Sequence, residues 1–186
     1  MNNPLASTRY PTLSICLHWF TLLLMVAIYF TIELHEALPR GNPLRHPMEE
    51  WHIYLGVCLL PIAIFRAIVI LRTQIPAISP QPPLWQMRVT QAMKVYLYVL
   101  MIGAPLLGWL LVNAEGNAVS FFGLLTLPTL VPASEAVADF VGEAHEILGV
   151  SGYFFIAIHA FAALYHHYLL KDNTLKRMLP AFLRKG

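Results

Sequence analysis

The chain has 186 residues, 58% of them hydrophobic and only 12% charged, with a mean hydropathy of +0.61. That composition belongs to a membrane protein, and a formal net charge of +2 is too small to argue for a nucleic-acid partner. The two cysteines, Cys16 and Cys58, both lie inside apolar runs without a CxxC spacing, which reads as two small buried thiols rather than a structural disulfide.

Four apolar stretches follow in chain order. The first covers roughly 12–32, "TLSICLHWFTLLLMVAIYFTI", and the second roughly 51–72, "WHIYLGVCLLPIAIFRAIVILR". The third covers roughly 91–113, "QAMKVYLYVLMIGAPLLGWLLVN", and the fourth roughly 144–170. Each reaches about 20 residues, enough to cross a bilayer as a helix. The first reads as a retained span: no basic segment abuts it, and Glu33, His35 and Glu36 follow it where a cleavage site would need small residues. "IPAISPQPPLW" between spans two and three is a stiff connection. "AVSFFGLLTLPTLVP" between spans three and four is too short and proline-punctuated for a fifth span, and reads as an interfacial or re-entrant loop. No internal repeat or soluble second domain is visible, so residues 1–186 read as one integral-membrane domain, an all-α four-helix transmembrane bundle.

Basic residues set the orientation. Arg9, Arg72, Arg88, Lys94, Lys171, Lys176, Arg177, Arg184 and Lys185 fall on one side. The other side has only Arg40 and Arg45, among Glu33, Glu36, Glu49, Glu50, Glu115, Glu135, Asp139 and Glu143. The positive-inside rule then places both termini in the cytoplasm.

The histidines carry the chemistry. An α-helix turns about 100° and rises about 1.5 Å per residue, so fourteen residues bring a side chain back to within roughly 40° of its first direction, about 21 Å along the axis. His145, Gly152, His159 and His166 therefore form one stripe on span four, and His167 lies off it. Under the antiparallel topology His52 matches His145 near the outer side and His18 matches His159 deeper in. Imidazole in hydrocarbon needs an internal partner. Two bis-histidine sites at two depths suit two stacked b-type haems, each iron taking one axial imidazole from each of two facing helices. Gly56 and Gly149 sit one turn inside the outer ligands, and Gly152 sits between the two levels, where small residues let a flat macrocycle approach the backbone. Arg66, fourteen residues after His52, falls near the inner level and is a candidate partner for a haem propionate. His35 and His46 read as solvated loop residues. His166 is open between a helix-end cap and a donor to a bound ligand. A haem-free proton-relay or transport protein is the competing reading of the histidines, and a visible absorption spectrum separates the two.

"LSICLHWF", "EEWHIYLG" with Arg66 beyond it, and "GYFFIAIHAFAALYHHYLLKDNTLKRMLP" resemble the patterns of the bacterial cytochrome b561 family of small di-haem superoxide oxidases, over nearly the whole chain. The resemblance implies two haem b groups with iron ligands His18, His52, His145 and His159. It also implies a superoxide:quinone oxidoreductase, with electrons passing from superoxide outside, through the outer and inner haems, to ubiquinone. Arg40, Arg45, His35 and His46 are candidates for drawing superoxide in, although four glutamates share their loop. His166 and Lys171 are candidates for a quinone site, since imidazole and ammonium offer donors and protons to quinone carbonyls. The broader superfamily also contains haem b subunits fed by a partner dehydrogenase or hydrogenase. A protein partner is therefore an alternative electron donor.

Overall fold

The computed structural model describes residues 9–180 and Leu183; Arg184 and Lys185, which entered the charge count, lie outside the described residues. It contains α1 (Thr12–Ala37), α2 (Arg45–Leu71), α3 (Leu84–Ala114) and α4 (Glu135–Tyr168), with a two-stranded hairpin, β1 (Ser120–Phe121) and β2 (Leu125–Thr126), between α3 and α4. All four helices are long and apolar enough to cross a membrane. At 26 to 34 residues they outrun the roughly 20 that hydrocarbon requires. The extra turns carry charged residues such as Glu33, Glu49, Arg88 and Glu143, which hydropathy passes over. Helical hydrogen bonding persists there because it satisfies the backbone through the headgroup region. Pro11 and Pro83 occupy the N-caps of α1 and α3, where their missing N–H groups are not needed.

Apolar residues cover the outside as well as the core. On α4, Phe140, Ile147, Phe154, Phe161 and Tyr168 are all exposed. Their spacing of seven makes one stripe, and five residues separate Phe140 from His145, a rotation of about 140°. The stripe therefore faces lipid while the histidine stripe faces inward. Cys16 is likewise exposed on the surface of α1, whereas Cys58 is partly covered, and both thiols are free. An apolar run fixes that a cysteine sits in the membrane zone but not whether protein or lipid covers it, so the expected burial fails for Cys16.

Leu24, Met25 and Ile28 of α1, Leu59 and Ala63 of α2, and Leu100 and Met101 of α3 form the buried core. Close packing runs along the chain, α1 on α2, α2 on α3 and α3 on α4. Among the described residues α4 has no comparable packing on α1 or α2. Side chains bridge that gap. Tyr29 of α1 donates its hydroxyl proton to the Gly149 carbonyl of α4 at 2.7 Å, and its ring lies 4.4 Å from that of Tyr153.

The proline-punctuated segment forms an antiparallel hairpin, with Ser120 opposite Thr126 and Phe121 opposite Leu125. Phe122 and Gly123 at its tip both have positive φ, 52° and 68°, and the Leu124 N–H closes the turn on the Phe121 carbonyl at 3.0 Å. Phe122 packs on Tyr54 at 4.4 Å and on Trp51 at 5.6 Å. The hairpin thus lies against the first turns of α2 rather than re-entering the bundle. At the other end the chain after α4 folds back as a strap. Asn173 bonds Ser79 and Ala77, Arg177 donates to the Pro76 carbonyl and sits 5.7 Å from the Tyr10 ring, and Trp19 Nε1–H donates to the Met178 carbonyl at 2.7 Å.

Gly152 is buried where α1, α3 and α4 converge. A Cβ there would collide with the Tyr29 hydroxyl and stand 3.0 Å from Leu100 Cδ2. Overpacking of this kind costs about 1–3 kcal/mol. Gly152→Leu should lower the melting temperature of the purified protein in detergent by several degrees, with Gly152→Ala in between; differential scanning fluorimetry reads both, and an unchanged melting curve would show that the junction has room for a side chain.

Candidate functional site

Antiparallel packing brings the four intramembrane histidines together in pairs. His18 of α1 faces His159 of α4 with ring centroids 6.2 Å apart and planes inclined at 69°. His52 of α2 faces His145 of α4 at 6.1 Å and 89°. The two levels are fourteen residues apart on α4, about 21 Å. No hydrogen bond joins the rings of either pair among the described residues. An imidazole nitrogen sits about 2 Å from a bound metal, and about 1 Å from its own ring centroid, so two rings on opposite sides of one metal have centroids about 6 Å apart. Both pairs have that spacing. No group of three or more His, Cys, Asp or Glu side chains that could hold a metal occurs among the described residues. Two imidazoles alone make a poor cage for a bare ion, but they complete an iron whose other four positions a porphyrin fills.

The ring nitrogens turned away from each gap set the tautomer. His52 Nδ1–H donates to the Ile28 carbonyl at 3.1 Å, and His145 Nδ1–H donates to the Ala104 carbonyl at 2.9 Å. A carbonyl can only accept, so Nδ1 carries the proton and Nε2 keeps the lone pair that a metal needs. His18 differs: the Arg66 guanidinium stands 2.8 Å from its Nδ1. Arginine can only donate, so this contact protonates the opposite nitrogen. Ligation through Nε2 therefore requires Arg66 to turn to another acceptor. Arg66 has Met101 Sδ at 3.9 Å and the Tyr98 ring at 5.6 Å, and no carboxylate in ion-pair range among the described residues. A propionate would meet that need at this depth.

The glycines divide. A Cβ on Gly56 or Gly149 would meet nothing within 4 Å, so open space lies beside the His52–His145 pair on both helices. The gap between α4 and its neighbours, the two facing imidazole pairs and this open cradle fit haem. Gly152 is filled by Tyr29 and Leu100 instead, which makes it a helix-packing position in the structure. Three residues that no sequence motif singles out also meet this region. A Cβ on Gly108 of α3 would stand 3.1 Å from His145 Cε1, the Ala104 carbonyl accepts from the same ring, and Tyr29 bonds the Gly149 carbonyl. The signal available for α3 was its small residues at 104 and 108, one helical turn apart.

The remaining candidates gather at the two ends. His166 Nδ1 lies 2.5 Å from Asp172 Oδ2, and Asp172 Oδ1 accepts from the Thr174 N–H at 2.8 Å. Burial pushes the Asp172 carboxyl upward, but the hydrogen bonds from His166 and Thr174 outweigh it and hold the group below the usual carboxylate range. Lys171, at φ 55°, makes the left-handed turn between these partners, and its side chain is exposed. At the opposite end Arg45 donates to the carbonyls of His35 at 2.6 Å and Leu38 at 2.9 Å, closing the C-terminus of α1. His35 is tucked against it and donates from Nδ1 to the Arg45 carbonyl at 2.9 Å. His46 points to solvent between Glu49 and Glu50, at 3.7 and 3.6 Å, and Arg40 is exposed. Of the four residues considered for attracting an anion, two are thus committed to the loop's own structure.

The family model for prokaryotic cytochrome b561 matches residues 9–181 of this chain. Cytochrome b561 homolog 1 of Escherichia coli (strain K12) is 40% identical over 172 residues, covering 92% of this chain and 97% of that protein. The probable superoxide oxidase CybB of Yersinia pestis is 34% identical over 92% of this chain and 96% of its own length. Cytochrome b561 homolog 2 of Escherichia coli (strain K12) is 30% identical over 92% of this chain and 91% of its own length. With four helices able to span a membrane and this match over nearly its full length, the chain belongs to the prokaryotic cytochrome b561 family and is a multi-pass bacterial membrane protein of haem b electron transfer.

Proposed function

We propose that this protein binds two haem b groups, one between His52 and His145 and one between His18 and His159, and carries electrons from superoxide to ubiquinone across the inner membrane. The observation that carries the reading is the pair of imidazole pairs at 6.1 and 6.2 Å, stacked at two depths on one helix. Arg9, Arg72, Arg88, Lys94, Lys171 and Lys176 gather at the His18 end, so the positive-inside rule makes that end cytoplasmic and the His52 level outer. The name probable superoxide oxidase, given to a relative of 34% identity, supports superoxide as the donor. The loop geometry adds little to it, since among the described residues of that loop Arg40 is the arginine left uncommitted, among acidic neighbours.

Each bound haem supplies a reversible one-electron centre. The chain's own contributions follow from its hydrogen bonds. His52 and His145 keep their Nδ1 protons on carbonyls and would present Nε2 to the outer iron. Arg66 would pass from His18 to a propionate at the inner level. His166, its Nδ1 engaged by Asp172, would stand below the inner level and offer Nε2–H to a quinone carbonyl in its imidazolium form, and exposed Lys171 adds an ammonium nearby. The overall reaction balances as two superoxide anions oxidised to dioxygen, one quinone reduced by two electrons and two protons taken up to give quinol. Purified protein supplied with enzymatically generated superoxide and a soluble ubiquinone analogue should form one quinol per two superoxide consumed. Haems that stay oxidised under superoxide flux but respond to dithionite would remove superoxide as donor and leave the electron-transfer role in place.

Ligand pairing is open to a direct check. His52→Ala and His145→Ala should each remove the same haem signal, and His18→Ala and His159→Ala the other, with pyridine haemochrome assays falling from two haems per chain to one. Loss of the same signal from His52→Ala and His159→Ala would break the pairing.

The quinone role of His166 separates from a structural one by kinetics. His166→Leu should leave both haem spectra intact and slow reoxidation of the reduced protein by added quinone about tenfold or more, within the range for losing a positioned proton donor. Stopped-flow rates equal to wild type across quinone concentrations would return His166 to a purely structural partnership with Asp172.

A further inference from the structure

No histidine lies on α3, yet this helix seats one. Ala104 and Gly108 are one helical turn apart on α3, and both meet the His145 ring. The Ala104 carbonyl accepts the Nδ1 proton at 2.9 Å. A Cβ on Gly108 would stand 3.1 Å from His145 Cε1, 3.5 Å from Nδ1 and 3.9 Å from Nε2. One face of α3 therefore offers the ring an acceptor and, a turn further on, a bare stretch of backbone for it to lie against. The fit is local. On the same helix a Cβ at Gly103 would reach Leu148 at an ordinary 3.4 Å. Gly56, one turn from His52, faces open space, so the opposing ligand has no such seat.

We infer that Gly108 is a positioning residue for the outer haem, its missing side chain setting the tilt of the His145 ring. The inference rests on the reading of His145 as an outer-haem ligand. The ring is pinned at Nδ1 by Ala104 and faces His52 at 89°. Cε1 lies between the two ring nitrogens. A methyl group pressing there has two ways to be relieved: the ring pivots, swinging the Nε2 lone pair off its axis, or the bond to Ala104 lengthens. Either changes the donor strength or direction of this one ligand, and outer-shell partners of that kind tune a bound metal. The His18–His159 level, about 21 Å away along α4, lies beyond the reach of the push.

The test compares Gly108→Ala, Gly108→Leu and Gly103→Ala, with His145→Ala as reference, all purified as the full-length haem-loaded protein. Haem content, low-temperature electron paramagnetic resonance and a spectroscopic redox titration are measured on each. In bis-imidazole haems the low-spin signal follows the relative orientation of the two rings and the potential follows ligand donation, and neither tracks general stability. Gly108→Ala should keep two haems per chain and shift the signal and potential of one, the haem that His145→Ala removes. Gly108→Leu should retain a single haem, the inner one. Gly103→Ala should match wild type in every readout.

Wild-type signals and potentials for both haems in Gly108→Ala would overturn the inference. So would equal shifts of both haems, which mark a general loosening. If Gly108→Leu does not assemble, the Gly108→Ala spectra decide alone. His145→Ala retaining both haems would sink the ligand reading itself. Loss of the outer haem in His145→Ala, with Gly108→Ala unchanged, would sink only the positioning role.

Discussion

An imidazole inside a membrane has to be engaged from within the protein, and the facing of α4 toward α1 and α2 follows from that constraint. Close packing of α4 on either helix would push the rings of His18 and His159, or of His52 and His145, into each other. The helices instead hold back, and each pair rests about 6 Å apart between centroids. A gap of this kind is costly in an apolar bundle unless something fills it, since an empty slot forfeits dispersion contacts along both walls. Haem b, the family's cofactor, would offset that cost by filling the slot and engaging the imidazoles at the same time. The rest of the bundle can be understood as a frame that keeps the gap from closing. Consecutive helices pack along the chain, Tyr29 spans from α1 to the Gly149 carbonyl, and buried Gly152 lets that phenol approach.

The two levels are not built alike. At the His52–His145 level both Nδ1 protons rest on backbone carbonyls, which fixes ring and tautomer. At the inner level Arg66 holds His18 and has to change partner for that ring to ligate in the same way. The first level is preset, whereas the second would reorganise around an added carboxylate, whose charge the guanidinium would neutralise.

The ends of the bundle show how much of a surface is structural before it is functional. Arg45 closes α1 by bonding the carbonyls of His35 and Leu38, so one of two basic residues on the acidic side is spent on holding the loop. At the His18 end the strap beyond α4 ties down the α2–α3 connection through Asn173 and Arg177, and reaches Trp19 beside His18. His166 belongs to this arrangement through Asp172, a partner six residues away that only the turn at Lys171 brings within reach.

Much of this was legible in the sequence because its causes are local. Four apolar runs of span length announce four helices, since hydrocarbon tolerates no other open-chain solution for the backbone. The fourteen-residue interval on α4 puts His145 and His159 on one face by helix geometry alone, and alternating span direction then pairs their depths with His52 and His18. What needed the tertiary structure involves contacts between segments far apart in the chain. No periodicity in α3 says that the Ala104 carbonyl and the bare backbone of Gly108 meet a ring 37 to 41 residues onward. The exposure of Cys16, the commitment of Arg45 to carbonyls, and the filling of Gly152 by Tyr29 and Leu100 depend on which neighbour occupies a given side of a helix. Hydrophobicity cannot separate those outcomes, because in a membrane lipid and protein are equally apolar company. The sequence by itself determined the spans and the histidine ladder; only packing decided which small residues leave open space beside a histidine and which make room for a neighbouring helix.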